Sequence, residues 1–386
     1  MNIFVKPINE IEFEDVKVFC DEQIEENIRL EYKKAFSSKD ENKQIAKEIS
    51  AFANTRGGII LVGVGEKDRK PKLPIDGIDY KKDFNEKVTS IALKSIYPPV
   101  FPEIRVCEFG TNSKKAVVVI RVQESDETPH TVERTTGTYM RVDSQSEPQR
   151  APFEEIEWLI HRRKKAVENR ERLLRRAEER FENRPTRKNF KAFQCVSVIP
   201  VFPHTPLTAF EKLNGIAGKS KVSEHTCNFP LTGPYKTAHE SIVYETQYNA
   251  FLNYTEINIF GLIFSKQRLW GNHNEKKVNL FEVAHIAENV LKFSLMFYEE
   301  IGYQGLILIN LSLDGIKGGT LTIPTGSSDQ PIDSSNFDDS ISLERKVTVC
   351  ELSECFDEIA KGLYNEFLWS FGVGNDHERK DLIDRI

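Results

Sequence analysis

Residues 50–66 read SAFANTRGGIILVGVGE, and the change of pattern inside this stretch decides the fold of the first part of the chain. Just upstream and within it, Ile45, Ile49, Phe52 and Ala53 fall at i, i+4, i+7 and i+8. That is the stripe of an amphipathic helix facing a core. Gly57 and Gly58 stop the helix and let helix and strand pack closely. Residues 59–66 (IILVGVGE) are then apolar almost throughout, which predicts a strand buried on both faces. Outward from there, residues 116–122 (AVVVIRV) and 137–142 (GTYMRV) predict two more strands. In residues 28–33, Ile28, Leu30 and Tyr32 alternate with Arg29, Glu31 and Lys33, the pattern of a half-buried strand with a charged outer face. The expected class is α/β (α+β), with a mixed N-terminal sheet over residues 1–151.

From residue 152 the period changes. Phe153, Ile156, Ile160, Val167, Leu174, Ala177 and Phe181 recur at spacings built from 3 and 4, with Arg163 and Arg170 filling two seam positions. A long helix follows, stopped near Asn183-Arg184-Pro185. Between His161 and Lys188 there are twelve Arg or Lys against five Glu, a local net of +7. The whole chain carries −6, so the remainder carries −13. Residues 152–188 therefore read as a basic helical connector whose alternatives are packing on its own or a second subunit, a nucleic-acid backbone contact, and a solvated linker.

Residues 189–386 predict a second α/β domain, a sensor or oligomerisation module. Residues 195–202, 256–264, 305–313 and 346–352 read as strands, and helices run through Val283 to Phe297 and Phe356 to Phe367. Residues 326–336 (GSSDQPIDSSN) read as a polar loop. Tyr254, Glu256, Arg268, Trp270 and His273 mix aromatic and basic character in a way that suits base stacking, or an ordinary core.

Composition narrows the function classes. The longest apolar stretch, residues 257–264, is far short of the roughly 20 residues of a membrane span, so no membrane partner is expected. The first residues lack a secretory signal's basic and apolar regions, which points to the cytoplasm. Six cysteines at 20, 107, 195, 227, 350 and 355 form no CxxC pair and are expected to be reduced and buried. No G-x-x-x-x-G-K-[ST] string is present, and Gly57-Gly58 and Gly63, Gly65 open no helix on Lys-Ser, so no ATP is expected.

The residues alone raise one chemical site. Glu31 and Lys33 are two apart on a strand and share a face, Glu26 lies five residues before Glu31, and Glu66 closes the run 59–66. If the two strands are neighbours, three carboxylates and an ammonium converge near strand ends. Oxygen ligands there can hold Mg²⁺ or Mn²⁺ beside a phosphate for phosphodiester hydrolysis. The plain alternative is solvated surface acids.

The string ENIRLEYK at 26–33, the helix, SAFANTRGGIILVGVGE at 50–66, Pro129-His130-Thr131-Val132, GTYMRV, Ser144-Gln145-Ser146 and the helix at Phe153 together resemble the Schlafen AlbA_2 domain, over roughly residues 15–160. The resemblance implies an α/β domain of nucleic-acid-processing proteins. In nuclease-active Schlafens, two glutamates at this spacing and an acid after the Gly-Val strand form a metal-dependent site that cleaves tRNA and other structured RNA. Glu26, Glu31 and Glu66 occupy those positions, and Glu66 stands where active relatives commonly carry Asp. Animal enzymes pair two such domains; this chain has one, and a homodimer would supply the second.

The leading expectation is a metal-dependent endoribonuclease of RNA, in antiphage defence or a stress response. Glu26, Glu31 and Glu66 would bind Mg²⁺ or Mn²⁺, and Lys33 would stabilise phosphate charge. Arg56, Arg141, Arg162, Arg163, Lys164 and Lys165 would hold the backbone. The competing expectation is a non-catalytic DNA- or RNA-binding regulator with a ligand-sensing or oligomerising C-terminal half.

Overall fold

The computed structural model describes residues 3–35, 39–81, 83–110, 114–132, 137–142, 145, 147–184, 191–219, 235–248, 251–269, 277–325, 328–332, 334 and 336–386. Contacts divide the chain into two compact units, Met1–Lys165 and Ala166–Ile386.

The first unit runs α1 (Phe13–Asp21), β1 (Leu30–Lys33), α2 (Lys39–Asn54), β2 (Gly58–Val62), β3 (Glu66–Lys67), β4 (Lys70–Pro71), β5 (Ile78–Asp79), α3 (Phe84–Ser95), β6 (Ile96–Tyr97), β7 (Glu103–Glu108), β8 (Lys115–Val122), β9 (Thr131–Val132), β10 (Gly137–Met140), β11 (Gln149–Arg150) and the first turns of α4 (Phe153–Glu182). The main sheet has the order β1-β2-β8-β5, with β7 also on β8. β1 and β2 are parallel, with Glu31 opposite Ile60 and Lys33 opposite Val62, and α2 is their crossover. β8 runs antiparallel to β2.

Every residue of β2 is buried, as its unbroken apolar run predicts. Ile60 and Val62 pack with Ile45, Ile49 and Phe52 of α2 on one face. Ile59 and Leu61 pack with Val16 and Phe19 of α1 on the other. The two glycines between α2 and β2 are needed for this closeness. A Cβ at Gly57, where φ is +64°, would lie 2.6 Å from Val122 O, and one at Gly58 would lie 2.5 Å from the Phe52 ring.

The second unit contains the rest of α4, then β12 (Phe193–Pro200), α5 (Phe210–Lys219), β13 (Tyr235–Ala238), β14 (Ser241–Tyr248), β15 (Phe251–Asn258), β16 (Ile263–Arg268), β17 (Lys277–Asn279), α6 (Leu280–Ile301), β18 (Leu306–Asp314), β19 (Thr320–Thr325), β20 (Ser328–Pro331), β21 (Ser340–Thr348), α7 (Val349–Glu354), α8 (Phe356–Ser370) and α9 (Asp376–Ile383). An antiparallel sheet in the order β13-β14-β15-β16-β12-β18-β21 is its centre. One face carries α5, α6 and α8 through Leu213, Val290, Phe297 and Leu363. The other carries Leu173, Ala177 and Phe181 of α4 on Phe193, Tyr254 and Phe264.

Several sequence expectations change here. The run 256–264 is not one strand but the end of β15, a turn with Gly261 at φ +90°, and the start of β16. Residues 346–352 finish β21 and then become α7, because Thr348 and Glu351 form a capping box. Part of the loop 326–336 is β20, paired to β19. Cys20, Cys107 and Cys195 are buried, but Cys350 and Cys355 are exposed. Trp270, His273, Cys227, Ser144, Ser146, Arg187 and Lys188 lie outside the described residues. Among the described residues no helix is long and apolar enough to cross a membrane.

The basic helix differs most. Its buried positions are Leu159, Arg162, Ala166, Leu173, Ala177 and Phe181, whereas Phe153 and Ile160 are exposed. Ala177 and Phe181 of the expected seam are buried, but upstream the buried stripe lies one residue away and contains Ala166 and an arginine, which apolar counting passes over. The division between units falls inside α4, between Lys165 and Ala166. Four arginines of this basic stretch are matched by acids of the second unit. Arg172 and Arg176 meet Glu240 at 3.2 and 3.0 Å, and Arg184 meets Glu245 at 3.3 Å. Arg180 pairs with the buried Glu256, which also accepts from Ser241 and Tyr254.

Candidate functional site

β1 is the outer strand of its sheet, so one row of its backbone groups faces away from β2. Glu26 closes this edge: its Oε1 accepts the Tyr32 N–H at 2.9 Å. Glu31 turns instead toward α2 and is buried, not part of a charged outer face. Lys33 Nζ donates to its Oε1, and Arg141 Nη1 donates to its Oε2 at 2.8 Å. The same Arg141 nitrogen reaches Glu48 Oε2 of α2 at 2.9 Å, and Lys33 Nζ lies 3.5 Å from Glu48 Oε1. Gln44 donates to Glu48 Oε1 at 3.1 Å, and Arg141 Nη2 donates to Asn27 O at 2.9 Å. A buried charge persists when paired and hydrogen-bonded, and every member here is.

Burial and like charge act together on the acids of this cluster. Burial, followed by the charge of Glu31, pushes Glu48 up to about 7 against the opposing pull of Lys33 and Arg141. Glu26 is likewise pushed up to about 7 by burial and by Glu31, with Glu66 adding and the Tyr32 hydrogen bond opposing. Burial works against the charge on Lys33, but Glu48 and Glu31 outweigh it and hold its pKa above that of an ordinary lysine.

The SAFANT string builds this site from behind. Ser50 Oγ and Asn54 Nδ2 donate to His130 O, and Asn54 Oδ1 accepts the His130 N–H at 2.8 Å. Asn54 Nδ2 also donates to Tyr139 O at 2.9 Å, and Thr55 Oγ1 accepts the Arg141 N–H at 2.9 Å. The end of α2 thus fixes the chain on both sides of β10 and delivers Arg141 to Glu31. His130 is buried and held down to about 4 by that burial, with Nδ1 donating to Pro98 O at 2.7 Å. It is a structural residue, not a surface or capping one.

The sequence-derived residues divide accordingly. Glu26, Glu31, Lys33 and Arg141 come together, although Arg141 is buried in the cluster rather than exposed for a backbone. Glu66 does not end the buried strand: β2 stops at Val62, and Gly63 at φ +101° turns the chain away. Glu66 lies exposed in β3, where its Oε1 accepts the Arg69 N–H at 2.7 Å, and its charge still reaches Glu26. Arg56 is exposed at the end of α2. Arg162 is buried, donating to Glu124 Oε1 at 2.6 Å and to Ser125 O, so it is no exposed backbone contact. Arg163 is half-buried; Lys164 and Lys165 are exposed. Glu48 is the residue that sequence reading missed. Its only signal was a glutamate one position before the apolar Ile49, at the edge of the helix's core stripe.

The acids offer only oxygen donors, the kind Mg²⁺ and Mn²⁺ take. Glu26, Glu31 and Glu48 outnumber Lys33 and Arg141, the cations that touch Glu31 and Glu48. Among the described residues, however, no three His, Cys, Asp or Glu side chains are grouped in the present arrangement so as to hold one. Both oxygens of Glu31 carry Lys33 and Arg141.

These elements all lie within residues 26–150, and that interval matches the family model described as Schlafen, AlbA_2. The chain carries a Schlafen AlbA_2 domain. The match spans about a third of the sequence. Among solved structures, the N-terminal domain of a RecG-related protein from Nitrosomonas europaea aligns at 20% identity over 37% of this chain and 96% of its own, with a TM-score of 0.28. The DIP2311 protein from Corynebacterium diphtheriae aligns at 14% identity over 36% of this chain and 27% of its own, with a TM-score of 0.25. No curated protein matches. The AlbA_2 domain supports a nucleic-acid-related function.

Proposed function

We propose that the AlbA_2 domain binds RNA and hydrolyses its phosphodiester backbone with Mg²⁺ or Mn²⁺, tRNA being the first substrate to test. The observation that carries this reading is the buried group of Glu26, Glu31 and Glu48 around Lys33 and Arg141, with more carboxyls than cations. Glu26, Glu31 and Glu66 would hold the ion, which when bound would polarise the phosphate and supply a hydroxide at neutral pH. Lys33, held at Glu31 and Glu48, is placed to neutralise charge developing on the phosphate. Arg141 keeps Glu31 oriented from the buried side. The exposed Arg56, Lys164 and Lys165 are available to the backbone.

A second reading, a non-catalytic RNA- or DNA-binding regulator, is favoured by one observation: Lys33 and Arg141 satisfy both oxygens of Glu31, and Glu66 stands exposed on a separate hairpin. One experiment separates them. Purified protein is incubated with total tRNA and Mn²⁺ beside Glu31→Gln. Cutting by the parent alone supports the nuclease. Binding without cutting, unaffected by chelator, supports the regulator.

A further inference from the structure

Beside the amino ends of β1 and β2 lies an open cleft of about 280 Å³, lined by Phe4, Arg29, Arg56, Gly57, Gly58 and Arg121 among others. Its charges are not balanced. Arg121 Nη1 is paired with Glu103 at 3.2 Å, and its Nη2 donates to Ile3 O and Lys6 O. The acid that lines the cleft, Glu124, is taken by Arg162 at 2.6 Å. Arg29 and Arg56 are both exposed, and among the described residues neither has a carboxylate partner. Arg29 is held in place by lying over the Phe4 ring, with its guanidinium carbon 5.3 Å from the ring centre. Arg56 is tied to it through the backbone, because Ile59 N–H donates to Arg29 O at 2.9 Å. Gly57 and Gly58 line the cleft beside the two arginines.

We infer that this cleft is a phosphodiester-binding subsite in which Arg29 and Arg56 hold one backbone phosphate of a single-stranded segment of RNA. Two planar guanidiniums without internal counter-ions suit an oxyanion with several acceptor oxygens. Arg29 lies in the turn just before β1, two residues ahead of Glu31 in sequence. The inference rests on the RNA-binding part of the proposed function and is independent of cleavage.

The test measures binding of a labelled single-stranded RNA oligonucleotide by fluorescence anisotropy in EDTA, for the full chain and for the Arg29→Ala/Arg56→Ala double variant. The expected result is about tenfold weaker binding and a salt dependence shallower by about 0.7, the value for one phosphate contact on a single strand. Unchanged affinity and slope in the double variant would overturn the subsite. A second arm replaces chloride by inorganic phosphate at matched ionic strength. Displacement of RNA from the parent but not from the variant assigns the cleft to phosphate, whereas equal displacement from both counts against it. Since no metal is present, loss of tRNA cutting in Glu31→Gln leaves this inference standing. Normal binding by the double variant removes it without touching the nuclease reading.

Discussion

Glu48 and Arg141 form an ion pair with Oε2 and Nη1 2.9 Å apart and neither side chain exposed. The pair joins the crossover helix α2 to the chain just after β10, and its third member, Glu31, belongs to β1. Removing Arg141 would leave two buried carboxylates sharing Lys33 alone. Arg141→Ala is therefore expected to cost about 3–5 kcal/mol, the range for stripping one partner from a buried ion pair. Glu48→Gln keeps a hydrogen-bonding amide and one remaining acid for Arg141, so its loss should be clearly smaller. Arg141→Lys should fall near the alanine variant, because an ammonium cannot span Glu31, Glu48 and Asn27 O from one planar fork. Thermal melts of the variants read this order. An Arg141→Ala protein that melts with the parent would show that the pair does not hold the unit together.

The same cluster sets a pH dependence. Glu26 and Glu48 have folded pKa values raised to about 7 from an ordinary 4.5. Below about pH 4.5 both are protonated in either state and destabilise nothing. As pH rises from there through about 7, the unfolded chain releases these protons more readily than the folded one, and the contribution is lost. Stability should thus decline between about pH 5 and 8, and Glu48→Gln should flatten that decline. A divalent cation favours the charged carboxylates, so Mn²⁺ should raise the melting temperature more at pH 8 than at pH 5.5. A Mn²⁺ shift equal at both pH values, and equal in Glu26→Gln, would dissociate the ion from this cluster.

How far the sequence carries depends on which force placed each residue. β2 was legible because burial on both faces leaves an unbroken Ile and Val run, and α2 because its stripe keeps one period. Glu26, Glu31 and Lys33 were legible as a group by strand alternation and by family resemblance. Their sense was not: alternation says that Glu31 and Lys33 share a face but not that the face lies under α2, where Glu31 is buried. Glu48 and the inward turn of Arg141 depend on contacts 93 or more residues apart in sequence. Asn54, quoted as part of a motif, proved to be the clamp on His130 and Tyr139, a role with no local signature. Along α4 the failure was of another kind. Two stripes one residue apart compete along its first half, where Arg162 meets Glu124, whereas the expected Ala177 and Phe181 are buried at its end.

This arrangement gives α4 different weights at its two ends. Phe181 has no exposure; its ring meets Phe193 edge-on at 5.1 Å and Tyr254 at 5.7 Å, and Lys266 lies over it at 5.1 Å. Phe153, on the seam expected from sequence, is 74% exposed. Phe181→Ala should therefore cost about 3–5 kcal/mol, the transfer loss plus the cavity it leaves. Phe153→Ala should stay within about 0.5 kcal/mol, as surface changes do. Urea unfolding followed by circular dichroism reads both, with the Phe181 effect on the transition of the second unit. Equal midpoints for the two variants would mean that α4 is a solvated rod after all. A large loss at Phe153 with none at Phe181 would place the packed end of α4 at its start instead.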